Sequence, residues 1–480
     1  MLLLAVLVLG LTAPPVRAQA AAPRNVVFIL SDDHRYDFMS FHPQAPDFLE
    51  TPELDRMAAQ GAHLQNAFVT TALCSPSRAS ILTGRYAHNH GIVDNSAPIP
   101  PGTRFFPQYL QQAGYATAFV GKWHMGESKD DPQPGFDRWV SFAGQGVYFD
   151  PVLNIDGASR KATGYITDLL TDHALDWLRQ RQRDAPEQPF FLYLSHKAVH
   201  AEFEPAPRHR GRYADAALPY PDTMANSEAN YRTKPRWVRE QRYGWHGVDH
   251  AYHGALDFDG FYRGYAETLL ALDESIGRVL DYLDESGLSE ETLVVYMGDN
   301  GFLLGEHGLI DKRQAYEESI RVPMLAYAPG MIAPGARIAA LVRNIDIAPT
   351  ILDLAGVAAP APMDGRSFLP VLRDGAAPWD GELLYEYYWE HAFPHTPTVF
   401  ALRGDRYKYI YYHGVWDLNE LYDLETDPKE RHNLIDVPAE QGRIRAMRQR
   451  LWDRLEASDG MRIPLRRPPG WQAGERRLPD

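Results

Sequence analysis

The chain holds a single cysteine among its 480 residues, and its neighbours give that cysteine a setting for chemistry. Cys74 opens the run Cys74-Ser75-Pro76-Ser77-Arg78, which continues into Ile81-Leu82-Thr83-Gly84-Arg85. A lone thiol has no intramolecular disulfide partner, so it is either an inert buried side chain or a reactive one. Pro76 suits the first turn of a helix, which places Cys74 at a helix N-terminus. Free backbone N–H groups and the helix dipole favour an anion at that position. Arg78 would project beside it.

Two acidic pairs offer hard oxygen ligands. Asp32 and Asp33 follow the apolar run Asn25–Leu30, and Asp299 and Asn300 follow the run Thr292–Met297. Sites in open α/β sheets form beyond the carboxyl ends of strands. Three carboxylates and one amide suit Ca²⁺ or Mg²⁺; either pair alone is equally readable as solvated turn residues. Basic groups follow other apolar runs. Lys122 and His124 stand two apart in Gly121-Lys122-Trp123-His124-Met125-Gly126, so an extended segment would point them the same way. His196 and His200 follow the run Pro189–Leu194, and Lys312 closes Gly305-Glu306-His307-Gly308-Leu309-Ile310-Asp311-Lys312.

The elements that must position these groups read as α/β. Asn25–Leu30, Tyr115–Val120, Pro189–Leu194, Thr292–Met297 and Val322–Ala328 are short, continuous apolar runs, the pattern of buried parallel strands. Leu269, Leu272, Ile276, Val279 and Leu283 recur at helical spacing, as do Leu170, Ala174 and Trp177 within Ile166–Gln180. Strands alternating with helices predict a largely parallel sheet. Residues 200–260 hold little periodicity and read as a long functional loop. An Ala/Pro/Gly-rich stretch over Ala358–Asp380 precedes aromatic runs from Leu383 onward, which predict a small antiparallel sheet closed by a helix near Glu440–Leu455.

With 45% apolar and 23% charged residues the chain has globular composition, and its net charge of −15 argues against nucleic-acid binding. Leu2–Leu11 has the length of a signal core, too short to span a bilayer, and Ala18-Gln19-Ala20 is a small-x-small cleavage site. With no later membrane-length segment, export to the periplasm or the medium is expected.

The spacing Cys-x-Pro-x-Arg, followed by Leu-Thr-Gly, resembles the modification signature of the type I sulfatases. The later order Gly298-Asp299-Asn300-Gly301, Gly305–Gly308, Lys312, Tyr316-Glu317 and Arg321-Val322-Pro323 resembles the second half of their core. The resemblance implies an alkaline-phosphatase-like α/β fold: a large, mostly parallel central sheet flanked by helices, plus a small C-terminal domain with an antiparallel sheet and a helix. The expected division is a signal peptide (1–20), a catalytic domain (21–370) and a substrate-shaping subdomain (371–480). It implies that a maturase oxidises Cys74 to formylglycine (3-oxoalanine), whose hydrate is the nucleophile, and that Asp32, Asp33, Asp299, Asn300 and residue 74 hold a metal, Ca²⁺ in preference to Mg²⁺. An oxygen at residue 74 would attack sulfur in line with the departing alkoxide, and the sulfated hemiacetal would collapse to aldehyde and sulfate, a two-step covalent route.

The same resemblance assigns Lys122 to the formylglycine and sulfate oxygens, and His124 as the base for hemiacetal breakdown. It places a sulfate-binding histidine, aligned to His200 with His196 as the rival, where it could protonate the leaving oxygen. Lys312 goes to a sulfate oxygen and the leaving group, Arg78 stands beside the nucleophile, and His307 is a candidate lining residue. Tyr243–Asp249 through Tyr265, and Phe400–Asp417 with His413 and Trp416, look like bacterial N-acetylglucosamine-6-sulfatases. A 6-O-sulfated amino sugar from a glycan is therefore the first-choice substrate, and a monomer or homodimer is expected. The rivals are a phosphonate monoester or phosphodiester hydrolase of the same superfamily, and a non-catalytic glycan-binding protein on the same fold.

Overall fold

Asn25–Ser31 (β1) has only apolar side chains between its ends and is buried along its whole length, so it runs through the middle of a sheet covered on both faces. The computed structural model describes residues 24–126, 129–250, 257–360, 362–379 and 381–465; the expected signal peptide lies outside them. The strands that follow are β2 (Ala62–Phe68), β3 (Ala116–Lys122), β4 (Arg138–Phe142), β5 (Val152–Ile155), β6 (Ala158–Lys161), β7 (Phe190–Ser195) and β8 (Thr292–Gly298). After them come a two-stranded ribbon of β9 (Leu303–Leu304) and β10 (Ile310–Asp311), then β11 (Met324–Tyr327) and β12 (Ala336–Arg343). Ten of these form one sheet in the order β12-β2-β11-β8-β1-β7-β3-β4-β5-β6.

Its centre is parallel: β1 pairs with β7 and β8, and β3 pairs with β7 and β4. The carboxyl ends of β8, β1, β7 and β3 therefore lie side by side. Alternate residues of β1 feed the two faces, Val26, Phe28 and Leu30 into one core and Val27 and Ile29 into the other. The helix Cys74–Thr83 packs on the first face through Ala79, Ile81 and Leu82. The helices Ile166–Asp184 and Phe258–Glu285 cover the second, the latter through the expected stripe Leu269, Leu272, Ile276, Val279 and Leu283. Among the described residues no helix is long and apolar enough to cross a membrane.

One expected parallel strand runs the other way. β11, within Val322–Ala328, is antiparallel to both β8 and β2. The chain leaves β8 at its carboxyl end and re-enters the sheet there, with Met324 opposite Met297. The intervening residues stay at that edge instead of crossing over, so the returning strand is reversed. β2, with His63, Gln65 and Asn66 among its apolar residues, and β12, whose short run Ile338–Val342 is diluted by two alanines and only partly buried, were not among the expected strands.

The aromatic runs after Leu383 form an antiparallel sheet of β13 (Leu383–Tyr387), β14 (Val399–Arg403), β15 (Tyr407–Tyr412) and β16 (Glu420–Asp423). The helix Gln441–Ala457 covers it through Ile444, Met447, Leu451 and Leu455.

Candidate active site

Cys74 is the first residue of its helix, with Pro76 in the opening turn, and is wholly buried. Three groups from three other segments surround its sulfur. Lys312 Nζ is 3.2 Å away, Asp32 Oδ1 3.7 Å and Lys122 Nζ 4.0 Å. Asp32 comes from the end of β1, Lys122 from the end of β3 and Lys312 from the residue after β10. The close approach of β3 to β7 is possible because residue 121 is glycine: its φ is +128°, and a Cβ there would sit 1.7 Å from the Ser195 carbonyl oxygen.

Arg78, one helical turn after Cys74, ties the strand ends together. Its Nε lies 3.0 Å from Asp299 Oδ2 and its Nη2 3.1 Å from Asp32 Oδ2, while Nη1 donates to the Lys122 carbonyl and to Ser195 Oγ, both at 2.7 Å. Lys122 Nζ bonds Asp32 and donates to Gln145 Oε1 at 2.5 Å. Lys312 Nζ bonds Asp33 Oδ1, which also accepts from Asn300 Nδ2 at 2.7 Å.

The oxygen set fits a hard divalent cation on its own evidence. Asp32, Asp33 and Asp299 each offer an oxygen within 4.8 Å of the others'. Asp33 Oδ2 and Asn300 Oδ1 are buried with no hydrogen-bond donor, a cost that a cation would relieve. Burial raises the Asp33 carboxyl to about 7 against the pull of Lys312, with Asp32 and Asp299 adding to the rise. Burial, then Asp32, raises Asp299 as well. Asp32 alone is held well below the usual carboxylate range, because Lys122, His200, Arg78 and Lys312 more than offset its burial. Burial pushes the Cys74 thiol up to about 12 despite Lys122 and Lys312. The encoded side chain is thus a protonated thiol at neutral pH, a weak nucleophile.

The histidines separate by position. His200 Nε2 lies 3.8 Å from Asp33 Oδ2, and a His200 nitrogen, Asp32 and Cys74 lie within 4.8 Å of one another. Its Nδ1 bonds the Ala201 carbonyl. His196 turns the other way, its Nε2 3.0 Å from Ser275 Oγ on the helix Phe258–Glu285, so the rival does not face the cluster. His124 does not continue an extended strand beside Lys122. Its φ of +50° turns the chain, its carbonyl accepts from Ser75 Oγ, and its buried Nδ1 has no partner. Burial, with Lys122 and Arg78 close by, holds His124 well below the usual histidine range; burial and Lys122 do the same for His200. His307 is not a lining residue. Its ring packs on Tyr316 with centroids 4.1 Å apart, and burial, with the charges of Lys234 and Lys408, holds it well below the usual histidine range.

The cluster opens into a cavity of about 450 Å³ lined by Gln145, Lys197, His200, Trp245, Lys312 and Phe393, among others. That volume suits a small ligand held by a few polar groups. Trp245 belongs to the segment that the sequence singled out for substrate contact. Trp416 does not reach the cavity: it is fully exposed, and the loop after β13 contributes Phe393 instead. Gln145 and Phe393 carried no sequence signal. Gln145 stands alone in a glycine-flanked turn, and Phe393 reaches the cavity only through tertiary packing.

Comparison with known proteins places this geometry in a family. The family model described as Sulfatase matches residues 24–357, and that described as N-sulphoglucosamine sulphohydrolase, C-terminal, matches residues 305–457. An N-acetylglucosamine-6-O-sulfatase of Bacteroides thetaiotaomicron is 34% identical, over 90% of this chain and 86% of that protein. The N-acetylglucosamine-6-sulfatase of Homo sapiens is 30% identical, over 85% and 80%. A solved structure in complex with its substrate D-glucosamine-2-N,6-O-disulfate superposes with a TM-score of 0.83 at 31% identity, covering 92% of this chain and 99% of the other.

Proposed function

The chain belongs to the sulfatase family, the hydrolases of sulfuric esters, and from that premise we propose that it removes the 6-O-sulfate of an N-acetylglucosamine-type amino sugar. The observation that carries the reading is the convergence on residue 74 of Lys312, Asp32 and Lys122, from three separate strand ends, at 3.2, 3.7 and 4.0 Å. The named activities of the relatives supply the sugar and the sulfate position.

Residue 74, matured to formylglycine, would supply as its hydrate the hydroxyl that attacks sulfur and, on release of sulfate, the aldehyde again. A divalent cation, Ca²⁺ by preference over Mg²⁺, held by Asp32, Asp33, Asp299 and Asn300 with residue 74 beside them, would supply positive charge to the sulfate oxygens. Arg78 bridges Asp32 and Asp299 and so fixes the strand ends relative to the nucleophile. Lys122 and Lys312 are already anchored by carboxylates, so their remaining N–H groups are preorganised toward the negative charge that develops on sulfate. His124, kept neutral by burial and neighbouring cations, would take a proton from the hydroxyl of the matured residue 74. His200, neutral while the site is empty, stands on the cavity side of the cluster, where the negative charge of a bound sulfate would raise its pKa and let it pass a proton to the departing sugar oxygen.

Trp245 and Phe393 would flank the sugar ring, so the C-terminal part, residues 371–480 in the proposed division, shapes the substrate end of the cavity. Export behind the signal segment and maturation by a formylglycine-generating partner complete the proposal. The test is release of inorganic sulfate from 6-O-, 4-O- and 3-O-sulfated amino sugars, an aryl sulfate and a phosphodiester. The proposal expects the highest kcat/KM for the 6-O-sulfated N-acetylglucosamine. Preference for another sulfate position would overturn the substrate, and hydrolysis of the phosphodiester alone would overturn sulfate-ester hydrolysis.

A further inference from the structure

The charges that meet at residue 74 cancel. Asp32, Asp33 and Asp299 are matched one for one by Arg78, Lys122 and Lys312, each of which bonds at least one of them. The protein's own pairs therefore leave little net positive charge for an incoming anion. One further cation lines the cavity differently. Lys197 is only 3% exposed, yet no hydrogen bond or ion pair joins its amine to any described residue. Its Nζ stands 4.5 Å from the centroid of the Tyr148 ring, and the Tyr148 hydroxyl donates to the His200 carbonyl at 2.7 Å. The ring thus supports the amine from behind and fixes it to the His200 segment. Glu202 and Glu204 also line the cavity, but both are exposed and neither pairs with the amine.

A buried ammonium without a counter-ion is costly. It persists where an anion is meant to arrive, and the ring face returns part of the cost. Burial and the like charge of Lys122 lower the Lys197 pKa to about 8 against the longer-range pull of Asp32, Asp33 and Glu204, which still leaves the amine mostly protonated at neutral pH. Repulsion between Lys122 and Lys197 is relieved by one negative group placed between them.

We propose that Lys197 is a further sulfate-binding residue, closing the anion site on the side of Tyr148 and His200 and contacting the sulfate oxygens directly. This rests on the reading of the cavity as the sulfate-ester site.

The test uses the full chain and inorganic sulfate as the probe, followed by titration calorimetry at fixed ionic strength, beside kcat/KM for a sulfate ester and the thermal midpoint. A charge-assisted hydrogen bond of this kind is expected to make sulfate binding about tenfold weaker or more in Lys197→Met. Lys197→Arg should recover most of the affinity, and neither change should move the midpoint as the loss of a packed core group would. Sulfate affinity and kcat/KM equal to wild type in Lys197→Met would overturn the proposal. Should Lys197→Met fail to fold, Lys197→Gln gives the same readout. A wild-type chain with residue 74 converted to the aldehyde that binds sulfate but turns over no sulfate ester would refute the enzymatic reading, while the comparison of affinities still decides the role of Lys197.

Discussion

Two clusters of buried charge lie in this molecule, and they are finished differently. One joins Asp32, Asp33 and Asp299 to Arg78, Lys122 and Lys312 at the strand ends. The other joins Glu317, Glu420 and Glu430 to Arg403, Lys408 and Lys234 where the large sheet meets the small one. In the second cluster every carboxylate oxygen has a donor or an ion-pair partner within 3.3 Å, Glu430 Oε1 through the Lys408 ion pair alone, whereas Asp33 Oδ2 in the first has only His200, at 3.8 Å. Glu430 accepts from the Glu317 amide at 2.7 Å and pairs with Lys408 at 2.8 Å, and Glu420 accepts from Tyr316, Tyr412 and Tyr422. Lys234 donates to Tyr422 and to the Glu430 carbonyl and lies over two tyrosine rings. In the first cluster Asp33 Oδ2 and Asn300 Oδ1 are left without donors, Cys74 is the central atom, and a cavity opens beside it. A saturated network holds parts together; an unsaturated one beside a cavity is built to receive something.

The contrast can be broken most sharply at Cys74. Cys74→Ala should lower turnover about 10⁴-fold or more while leaving the thermal midpoint nearly unchanged, since a nucleophile contributes to chemistry and little to folding. Lys408→Met should do the opposite. It leaves Glu317 and Glu430 buried with less compensation and should cost about 3–5 kcal/mol of stability in denaturant unfolding, with turnover per folded molecule close to wild type. Lys122→Met and Lys312→Met should each lower kcat about 10²–10³-fold, the usual loss for one preorganised donor, measured by sulfate release. Chelation should lower both activity and midpoint, with recovery on adding Ca²⁺; at a metal concentration 100 times its Kd the linkage is worth about 2.7 kcal/mol. Equal loss of activity and stability in all four cases would erase the distinction between the clusters.

The smallest expected effect lies at the junction. His88 bonds Glu386 at 2.6 Å through Nδ1 and the Ser458 carbonyl at 2.7 Å through Nε2. Two acceptors on one ring require both nitrogens protonated, so the Glu386 bond and charge raise the His88 pKa against its burial. Its contribution to stability is complete below the ordinary histidine value of 6.5 and is lost as pH rises through the raised value. His88→Gln should flatten the midpoint-versus-pH curve in that window and leave kcat/KM unchanged; an unaltered curve would show that the junction does not titrate there.

What the sequence revealed follows from how local each feature is. The sulfatase resemblance and the α/β sheet were legible because Cys74-Ser75-Pro76-Ser77-Arg78 and the strand-end pairs are spelled in single short segments. Tyr316-Glu317 was legible as part of that ordered motif, but not its use: the structure commits both residues to the junction, bonded to Glu420, Arg403 and Lys408. The direction of β11 was not legible, because an apolar run does not say from which end the chain enters the sheet. Lys197, Gln145 and Phe393 were silent for the same reason. Each becomes part of the cavity only when distant segments fold around it, and none sits in a periodic pattern. His307, which the spelling Gly-Glu-His-Gly made prominent, packs on Tyr316 instead.

The central claim is that residue 74, once converted, is the chemical centre of the first cluster. The direct test is mass spectrometry of the peptide spanning Ala72–Arg78, made on preparations matured to different extents and assayed in parallel for sulfate release. Specific activity should rise in proportion to the fraction of residue 74 found as the aldehyde and extrapolate to zero for the thiol. Full activity from a preparation whose residue 74 is entirely cysteine would contradict the account.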